Sequence, residues 1–265
     1  MNDKEILEKI KKYDFYHRIK LTNTITTPGE GNKPQIHRNL NKIRTLDLKG
    51  KKVLDIGCRD GIYSFEAEKM GASEVIGIDN NISKPAIEFL IPYFNSKIKM
   101  YEMNLFDLKE ESFGKFDVII FPGTLYHLRY PFHALKIIIN LLKEDGIFLI
   151  ETGILQESFD RAILYCPTKD DGPFDPTSCT FFNPKGLIDT LYTMGIETLD
   201  YELSFKPNKI KILFKSLLRI FFKKKVFGKN LTTVCRGLFL GKKNSKIMNE
   251  EDLKYWDSTH KKHSL

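Results

Sequence analysis

The chain has 265 residues, of which 42% are hydrophobic and 29% are charged, and its formal net charge is +8. This length and composition are typical of one sizeable globular domain, or of one domain with an added subdomain. Apolar runs such as HALKIIINLL are too short and too interrupted to cross a bilayer, and the charged start MNDKEILEKIKKY is unlike a secretory signal peptide. We therefore expect a cytoplasmic protein.

The cysteines argue against two further classes of protein. The four cysteines form no C-x-x-C pair and have no histidines at ligand spacing. Neither a zinc site nor a disulfide framework is therefore predicted. We expect all four to be reduced and structural, and we predict no metal site.

The segment before the first clear strand is predicted to contain two helices. Residues 3–12 place apolar side chains on one side of a short helix. The polar stretch TTPGEGNKP follows, and then a second helix is predicted over residues 35–46. We expect residues 1–46 to form a helical cap over the functional site.

From residue 47 onward, apolar strands alternate with helices. The predicted strands are VLDI, EVIGID, KMYEMNL, FDVIIF and GIFLIET, and the helices among them span residues 63–70, 85–94 and 132–142. This alternation predicts a parallel sheet with helices on both faces. With the later segments IETLDYELSF and TTVCRGLFLGK, the predicted fold is α/β, with a doubly wound, mostly parallel, seven-stranded sheet. The domain is expected to span residues 47–245, followed by a C-terminal tail at 246–265.

The segment after the fifth strand breaks the pattern. Residues 153–183 are rich in Pro, Asp and Thr, and a helix is predicted after them, over residues 184–194. Ligands of open α/β sheets bind beyond the carboxyl ends of the strands. We therefore predict that residues 153–183 form a lid or a substrate wall.

A basic insertion, residues 206–229, carries nine of the 42 basic residues and no acidic residue. Within residues 209–225, Lys211, Lys215 and Arg219 are spaced as on one face of an amphipathic helix. Four interpretations stay open: the apolar face of the helix packs on the domain, or the helix contacts an anionic membrane surface, an acidic substrate or a nucleic acid. Nucleic acid is the least favoured partner, because the rest of the chain is nearly neutral.

The first strand ends in the loop DIGCRDG, residues 55–61. It lacks the G-x-G-x-x-G spacing of a dinucleotide-binding turn and shows D-x-G-x-x-x-G instead. The second strand ends in an acid, Asp79, which can accept hydrogen bonds from both hydroxyls of a ribose. The loop and the acid together favour a ligand that carries a nucleoside.

The segments VLDIGCRDG, VIGID, FDVIIFPGTLYHL and GIFLIET, in this order, resemble the motifs of class I S-adenosylmethionine-dependent methyltransferases over about residues 40 to 155. GTLYHLRYPFHAL and the upstream FYHRIKLTNTITTPG are similar to the branch of the tRNA wobble-uridine carboxymethyltransferases and their shorter relatives. The resemblance implies a Rossmann-like methyltransferase fold and S-adenosylmethionine as the cofactor.

The resemblance also implies roles for individual residues. Gly57 and Gly61 would face the methionine and sugar parts of the cofactor, Asp55 would brace the loop, and Asp79 would hold the ribose. Tyr126 would lie near the sulfonium, and the three residues after the third strand would border the adenine. The full set of expected cofactor-binding residues is Asp55, Gly57, Cys58, Arg59, Gly61, Asp79, Asn80, Asn104, Leu105, Phe106 and Tyr126.

Arg59 departs from the common pattern, which has a glycine at this position. The backbone of Arg59 must therefore keep φ negative or accept strain. Two interpretations of the side chain stay open: it points outward from the loop, or it reaches the pocket mouth and meets an anionic acceptor.

Methyl transfer to a hydroxyl requires removal of a proton, so the candidate acids and bases matter. The predicted catalytic residues are His127, Tyr126 and His17, and Tyr16 and Glu151 are further candidates. His127 follows Tyr126 at the carboxyl end of the fourth strand; alternatively, it only fixes the loop geometry there. His17 requires that the N-terminal segment folds over the site.

The predicted function is transfer of a methyl group from S-adenosylmethionine to an oxygen of a small acceptor, such as a sugar, a sugar nucleotide or a phosphorylated metabolite. An anionic acceptor would suit the basic insertion. One alternative is modification of the tRNA wobble uridine, although the carboxymethyl-transferring relatives use a carboxylated cofactor and carry a basic tryptophan-containing segment that has no match here. Another alternative is a catalytically silent protein that binds S-adenosylmethionine and docks on membrane or RNA. The sequence leaves the oligomeric state open.

Overall fold

A computed structural model describes residues 1–30, 33–157, 160–168, 171–204 and 234–258. The chain divides into two compact units: unit 1 comprises Met1–Pro122 and Asn140–Leu149, and unit 2 comprises Gly123–Ile139 and Ile150–Leu265. The predicted basic insertion, residues 206–229, lies outside the described residues, as does the end of the predicted tail.

Helices and strands alternate through most of the described chain. The helices are α1 (Asp3–Ile10), α2 (Pro34–Ile43), α3 (Ile62–Lys69), α4 (Ile91–Phe94), α5 (Glu110–Phe113), α6 (Pro131–Asn140), α7 (Pro184–Thr193) and α8 (Glu250–Ser258). The strands are β1 (Lys52–Ile56), β2 (Glu74–Asp79), β3 (Lys99–Glu102), β4 (Phe116–Pro122), β5 (Leu142–Leu155), β6 (Leu164–Tyr165), β7 (Phe181–Phe182), β8 (Ile196–Leu203) and β9 (Val234–Lys243). No helix in these described ranges is long and apolar enough to span a membrane.

Unit 1 contains the parallel part of the sheet. Its strands follow the order β3, β2, β1, β4 and the first part of β5. β1 pairs in parallel with β2 on one side and with β4 on the other, and β2 pairs in parallel with β3. Residues 53–56 of β1 and residues 118–122 of β4 are buried, as expected for strands covered on both faces. The predicted α/β fold with a mostly parallel sheet is confirmed.

Unit 2 contains the mixed end of the sheet. β7 pairs in parallel with β5 and antiparallel with β6, while β9 pairs with β5 and antiparallel with β8. The described residues thus form nine strands, and the prediction of seven was wrong. The additional strands, β6 and β7, have two residues each, too few to show the alternation by which a strand is recognised in sequence. Both lie within the predicted lid, residues 153–183.

The N-terminal segment is part of the core of unit 1. Side chains on α1 and on the irregular stretch after it pack against the π-helix Ala86–Leu90, which directly precedes α4. The buried members of this cluster are Ile6, Ile10, Phe15, Ile19, Ile25, Phe89 and Leu90. Tyr93 adds a hydrogen bond from its hydroxyl to the carbonyl oxygen of Leu21, at 3.0 Å. The N-terminal segment is therefore held against the helical segment after β2 by apolar burial.

The π-helix replaces the first half of the helix predicted over residues 85–94. The amide of Ile91 donates to the carbonyl of Ala86, five residues earlier. Pro92 follows directly and has no amide hydrogen, so the regular four-residue bonding pattern cannot continue through it. The widened turn is thus explained by one proline.

Candidate active site

The loop after β1 depends on three residues with left-handed backbone. Gly57, Arg59 and Gly61 have φ of 77°, 46° and 80°. The amides of Gly57 and Cys58 both donate to the carbonyl of Ile78 in β2, at 2.8 and 3.1 Å. Glycine is favoured at position 61 by its positive φ, and a side chain there would also displace the terminal methyl group of Met100. The loop therefore has one defined path, close against β2.

Arg59 adopts the left-handed conformation despite its side chain. Its amide donates to Asp79 Oδ2 at 3.0 Å, and its Nη1 donates to the carbonyl of Asn81 at 3.2 Å. The guanidinium carbon lies 5.3 Å from the ring centroid of Tyr16, which is a cation–π distance. The steric cost of such a backbone is about 1 to 2 kcal/mol, and these contacts offset it.

The carboxylate of Asp79, the predicted ribose-binding residue, is held in one orientation. The residue is only 7% exposed, and its carboxylate accepts one amide hydrogen on each oxygen, from Arg59 at 3.0 Å and from Asn81 at 2.9 Å. These bonds fix the plane of the carboxylate and leave each oxygen a further lone pair. The geometry is compatible with two neighbouring hydroxyl groups of a sugar, and the ribose contact stays a prediction.

Asp55 lies behind the loop and is fully buried, at 0% exposure. Ser64, in the first turn of α3, donates to its Oδ2 at 2.6 Å, which joins the strand to the helix. Burial raises the pKa of this carboxyl to about 7, against the opposing hydrogen bond from Ser64. Within the described part of the chain, Asp55 Oδ1 has no hydrogen-bond partner. A buried acceptor of this kind fits a donor supplied by a ligand or by water.

The other predicted cofactor residues of unit 1 lie at three places: in the loop after β1, after β2 and after β3. Cys58 is buried, and its sulfur is so close to Gly77 that a Cβ there would lie 2.9 Å from it, so only its backbone faces the loop interior. Asn80 is exposed. Asn104 accepts from the amide of Phe106 at 3.0 Å and caps the short turn that contains Leu105. The predicted adenine border is therefore a fixed turn after β3.

Sequence reasoning missed Asp60, which links three segments of unit 1. It is 1% exposed and accepts the amide hydrogen of His17 at 2.6 Å and the hydroxyl hydrogen of Ser83. One carboxylate thus connects the N-terminal segment, the loop after β1 and the start of the turn after β2. Its position beside Gly61 in the loop motif was the available signal, but an acid in a loop is usually a solvated one.

His17 lies beside the loop after β1, and its side chain is buried there. It is 4% exposed, and burial, with the charges of Arg59 and Lys33, lowers its pKa to about 3. Its Nδ1 has no hydrogen-bond partner among the described residues. A histidine with this pKa is neutral and only weakly basic at neutral pH, which favours a positioning role over proton transfer. Tyr16, in contrast, is exposed beside Arg59.

In unit 2, the turn after β4 carries Tyr126 and His127 and is bound to the end of the predicted lid. The amides of Cys179 and Thr180 both donate to the carbonyl of Tyr126, at 2.8 and 3.1 Å. The thiol of Cys179 donates to the carbonyl of His127 at 3.3 Å, and the hydroxyl of Thr180 to that of Leu128 at 2.6 Å. Residues 179 and 180 therefore hold this turn through backbone contacts, in a way that no sequence motif indicated.

The His127 side chain is 31% exposed and makes one close polar contact. Its Nδ1 lies 2.7 Å from Thr177 Oγ1 and 3.8 Å from Asp175 Oδ1. Burial lowers its pKa, Asp175 partly opposes this, and the charge of Arg236 lowers it further. The pKa is therefore below the ordinary value of 6.5, and His127 is neutral at neutral pH.

Glu151 is paired rather than available as a base. Both of its carboxylate oxygens accept from Arg236, from Nε and Nη2, each at 2.6 Å. The guanidinium carbon lies 4.5 Å from the ring centroid of Tyr126 and 5.4 Å from that of Phe174. Tyr126 is buried, and burial raises the pKa of its hydroxyl. Arg236 was missed because its partner is 85 residues away in the chain.

Comparison with known proteins places the chain in a family. A family model described as a methyltransferase domain matches residues 30–199. The chain belongs to this methyltransferase-domain family, which confirms the resemblance predicted from its motifs.

Two curated relatives are similar to parts of the chain. The tRNA U34 carboxymethyltransferase of Helicobacter pylori is 38% identical over 125 residues, which is 46% of this chain and 47% of the relative. The same enzyme of Campylobacter lari is 31% identical over 170 residues, which is 61% of this chain and 55% of the relative. The chain thus spans about half the length of the curated relatives it matches.

Solved structures agree on the fold. The N-terminal domain of EvdMO1, solved in the presence of SAH and D-fucose, superposes with a TM-score of 0.64 at 15% identity, covering 92% of this chain and 98% of that one. The Burkholderia thailandensis 1,6-didemethyltoxoflavin-N1-methyltransferase superposes with a TM-score of 0.55 at 15% identity, covering 80% of each chain. At these identities the similarity shows the fold alone.

The left-handed backbone at Arg59 leads to a test by matched substitution. Arg59→Ala and Arg59→Gly remove the same guanidinium contacts, but only alanine keeps the steric cost of positive φ. We expect the glycine variant to have the higher free energy of unfolding, by about 1 kcal/mol, measured by urea denaturation. At Lys69, in the last turn of α3, the order should reverse, because alanine is the better helix former. An alanine variant at Arg59 as stable as the glycine variant would contradict this assignment.

Proposed function

We propose that this protein transfers a methyl group from S-adenosylmethionine to an oxygen of a small acceptor, such as a sugar, a sugar nucleotide or a phosphorylated metabolite. The observation that carries the proposal is His127, a neutral imidazole with 31% exposure, in the turn after β4 of a member of a methyltransferase family. A hydroxyl must lose its proton when it accepts a methyl group. An imidazole whose pKa lies below 6.5 is in its basic form at neutral pH.

The residues of unit 1 fit the cofactor. Asp79 keeps a lone pair on each carboxylate oxygen for the ribose hydroxyls. Asp55 is fully buried and braces the loop through its hydrogen bond from Ser64. The N-terminal domain of EvdMO1 was crystallised with SAH, which supports the same cofactor here. Gly57, Gly61 and the turn at Asn104 would provide the surrounding walls.

The protein's own contribution to the reaction is proton removal. When bound, the cofactor would supply an electrophilic methyl group on a sulfonium, and loss of that methyl group would leave the neutral thioether S-adenosylhomocysteine. His127 takes the proton of the acceptor hydroxyl on its free ring nitrogen as the new bond between oxygen and carbon forms. The imidazolium that results lies 3.8 Å from the carboxylate of Asp175, measured between Nδ1 and Oδ1, which stabilises the positive charge.

Asp79→Asn tests the cofactor site. The amide cannot offer two charged acceptors to the ribose, so we expect the dissociation constant of S-adenosylhomocysteine to rise by on the order of 10- to 100-fold in isothermal titration calorimetry. Glu74→Gln, at the other end of β2, removes a carboxylate that pairs with Lys52 and Lys99 and should leave binding unchanged. Equal binding by Asp79→Asn and the parent protein would refute the ribose assignment.

The pH dependence of turnover tests His127. The reaction needs the neutral imidazole, so the rate should fall at low pH with an apparent pKa below 6.5 and stay constant above it. His127→Asn should lower kcat by about 100-fold and abolish this acid limb, with S-adenosylhomocysteine binding intact. His37→Asn, at an exposed position of α2, is the matched control. The readout is release of S-adenosylhomocysteine with candidate hydroxyl acceptors between pH 5 and 9, and an unchanged rate in His127→Asn would exclude the catalytic role.

Modification of the tRNA wobble uridine is the second candidate, and the 38% identity to a tRNA U34 carboxymethyltransferase favours it. It predicts that tRNA binds with an affinity that falls steeply with salt, because phosphate contacts release counterions. Fluorescence anisotropy between 50 and 200 mM salt measures this, and mass spectrometry of the tRNA distinguishes methyl from carboxymethyl transfer. Transfer to tRNA without turnover of any small acceptor would replace the first proposal. Salt-sensitive tRNA binding without any transfer would favour a catalytically silent protein.

A further inference from the structure

We propose that Asp175 and Thr177 are positioning residues that hold His127 in one tautomer, with the proton on Nδ1 and the lone pair on Nε2. The inference rests on the proposed function for its catalytic meaning, although the tautomer itself is a property of the protein alone. All three residues belong to unit 2. Neither Asp175 nor Thr177 follows from any motif of the sequence.

The direction of the hydrogen bonds follows from the number of hydrogens available. Thr177 Oγ1 lies 2.7 Å from Asp175 Oδ1 and 2.7 Å from His127 Nδ1. A threonine hydroxyl has one hydrogen, and an ionised carboxylate can only accept. The hydroxyl hydrogen therefore goes to Asp175, and Thr177 Oγ1 must accept a hydrogen from His127 Nδ1. Nε2 is left as the basic nitrogen.

Asp175 is ionised and fixed in place. Burial raises the pKa of its carboxyl, but the hydrogen bond from the Thr177 hydroxyl and the charge of His127 outweigh burial, and the pKa lies below its ordinary value. The Thr177 amide also donates to Asp175 Oδ1, at 2.9 Å, which forms an Asx turn with Pro176 between them. Asp175 and Thr177, which together with His127 form a hydrogen-bonded relay, therefore belong to one tight turn.

The same turn is anchored on both sides. Ser178 Oγ donates to the carbonyl of Asp175 at 2.7 Å and accepts from the Asp175 amide at 3.2 Å. The next residue, Cys179, donates its amide to the carbonyl of Tyr126 at 2.8 Å. The turn that carries Asp175 and Thr177 is thus hydrogen-bonded to the backbone of Tyr126, the residue before His127. This bond fixes the imidazole relative to Thr177.

Nε2 is the ring nitrogen that can meet a reactant. The hydroxyl of Thr177 lies against Nδ1, and the His127 side chain is 31% exposed. A base held in this tautomer keeps its lone pair directed away from the relay at every turnover. Without the relay, the imidazole would rotate and exchange tautomers, and only a fraction of molecules would present a lone pair on Nε2.

Two variants at residue 177 separate the hydroxyl from the shape of the side chain. Thr177→Val keeps the shape and removes the hydroxyl, whereas Thr177→Ser keeps the hydroxyl. Long-range proton–nitrogen NMR spectra of the uncomplexed protein should show the Nδ1-protonated tautomer of His127 in the parent and in Thr177→Ser. In Thr177→Val the signals should move toward the Nε2-protonated form. An Nε2-protonated His127 in the parent protein overturns the proposal, whatever the activity.

Kinetics then tests the catalytic meaning of the tautomer. Thr177→Val should lower kcat by on the order of 10-fold with an unchanged KM, because orientation and not acceptor binding is lost, and Thr177→Ser should restore kcat. Equal kcat in all three proteins would overturn the positioning role. If NMR gives the expected tautomers but no hydroxyl acceptor is turned over, the relay stands and the proposed function fails.

Discussion

The loop after β1 depends on a short run of left-handed backbone. Gly57, Arg59 and Gly61 alternate with residues of ordinary conformation, and this alternation turns the chain from β1 into α3 within a few residues. The two glycines adopt this conformation without steric cost. Arg59 adopts it because its amide binds Asp79 and its guanidinium contacts Asn81 and Tyr16. The unusual arginine is therefore part of the loop's stability.

Two carboxylates, Asp79 and Asp60, fix this loop against its neighbours. Asp79 binds the amide of Arg59, and the neighbouring Asp60 binds the amide of His17 and the hydroxyl of Ser83. Since Asp60 is buried, each of these hydrogen bonds is strong in its low-dielectric surroundings and costly to leave unmade. The N-terminal segment is thereby fixed on the loop, and the positions of Asp79 and His17 are coupled through two adjacent residues.

The sequence predicted the strands and motifs that depend on local pattern. It did not predict contacts between residues that are far apart in the chain. Apolar runs identified β1, β2 and β4, and the order of motifs identified the family. The two-residue strands β6 and β7 carry no period, and Arg236 acquires its role only from Glu151, 85 residues earlier. His127 was predicted from its position after β4, but its proposed tautomer depends on Thr177, which is 50 residues away. Pairings of this kind are set by the tertiary fold and leave no trace in a single sequence.

The charges around His127 bear on the acceptor. Arg236 is matched by Glu151 in a bidentate pair, so its positive charge is already compensated within unit 2. The carboxylate of Asp175, 3.8 Å from the imidazole, is negative and would repel an anionic group brought close to Nδ1. Both facts favour a neutral hydroxyl at the point of proton removal. An anionic group on the acceptor would therefore have to lie away from His127, and the cations that meet it would come from other parts of the chain.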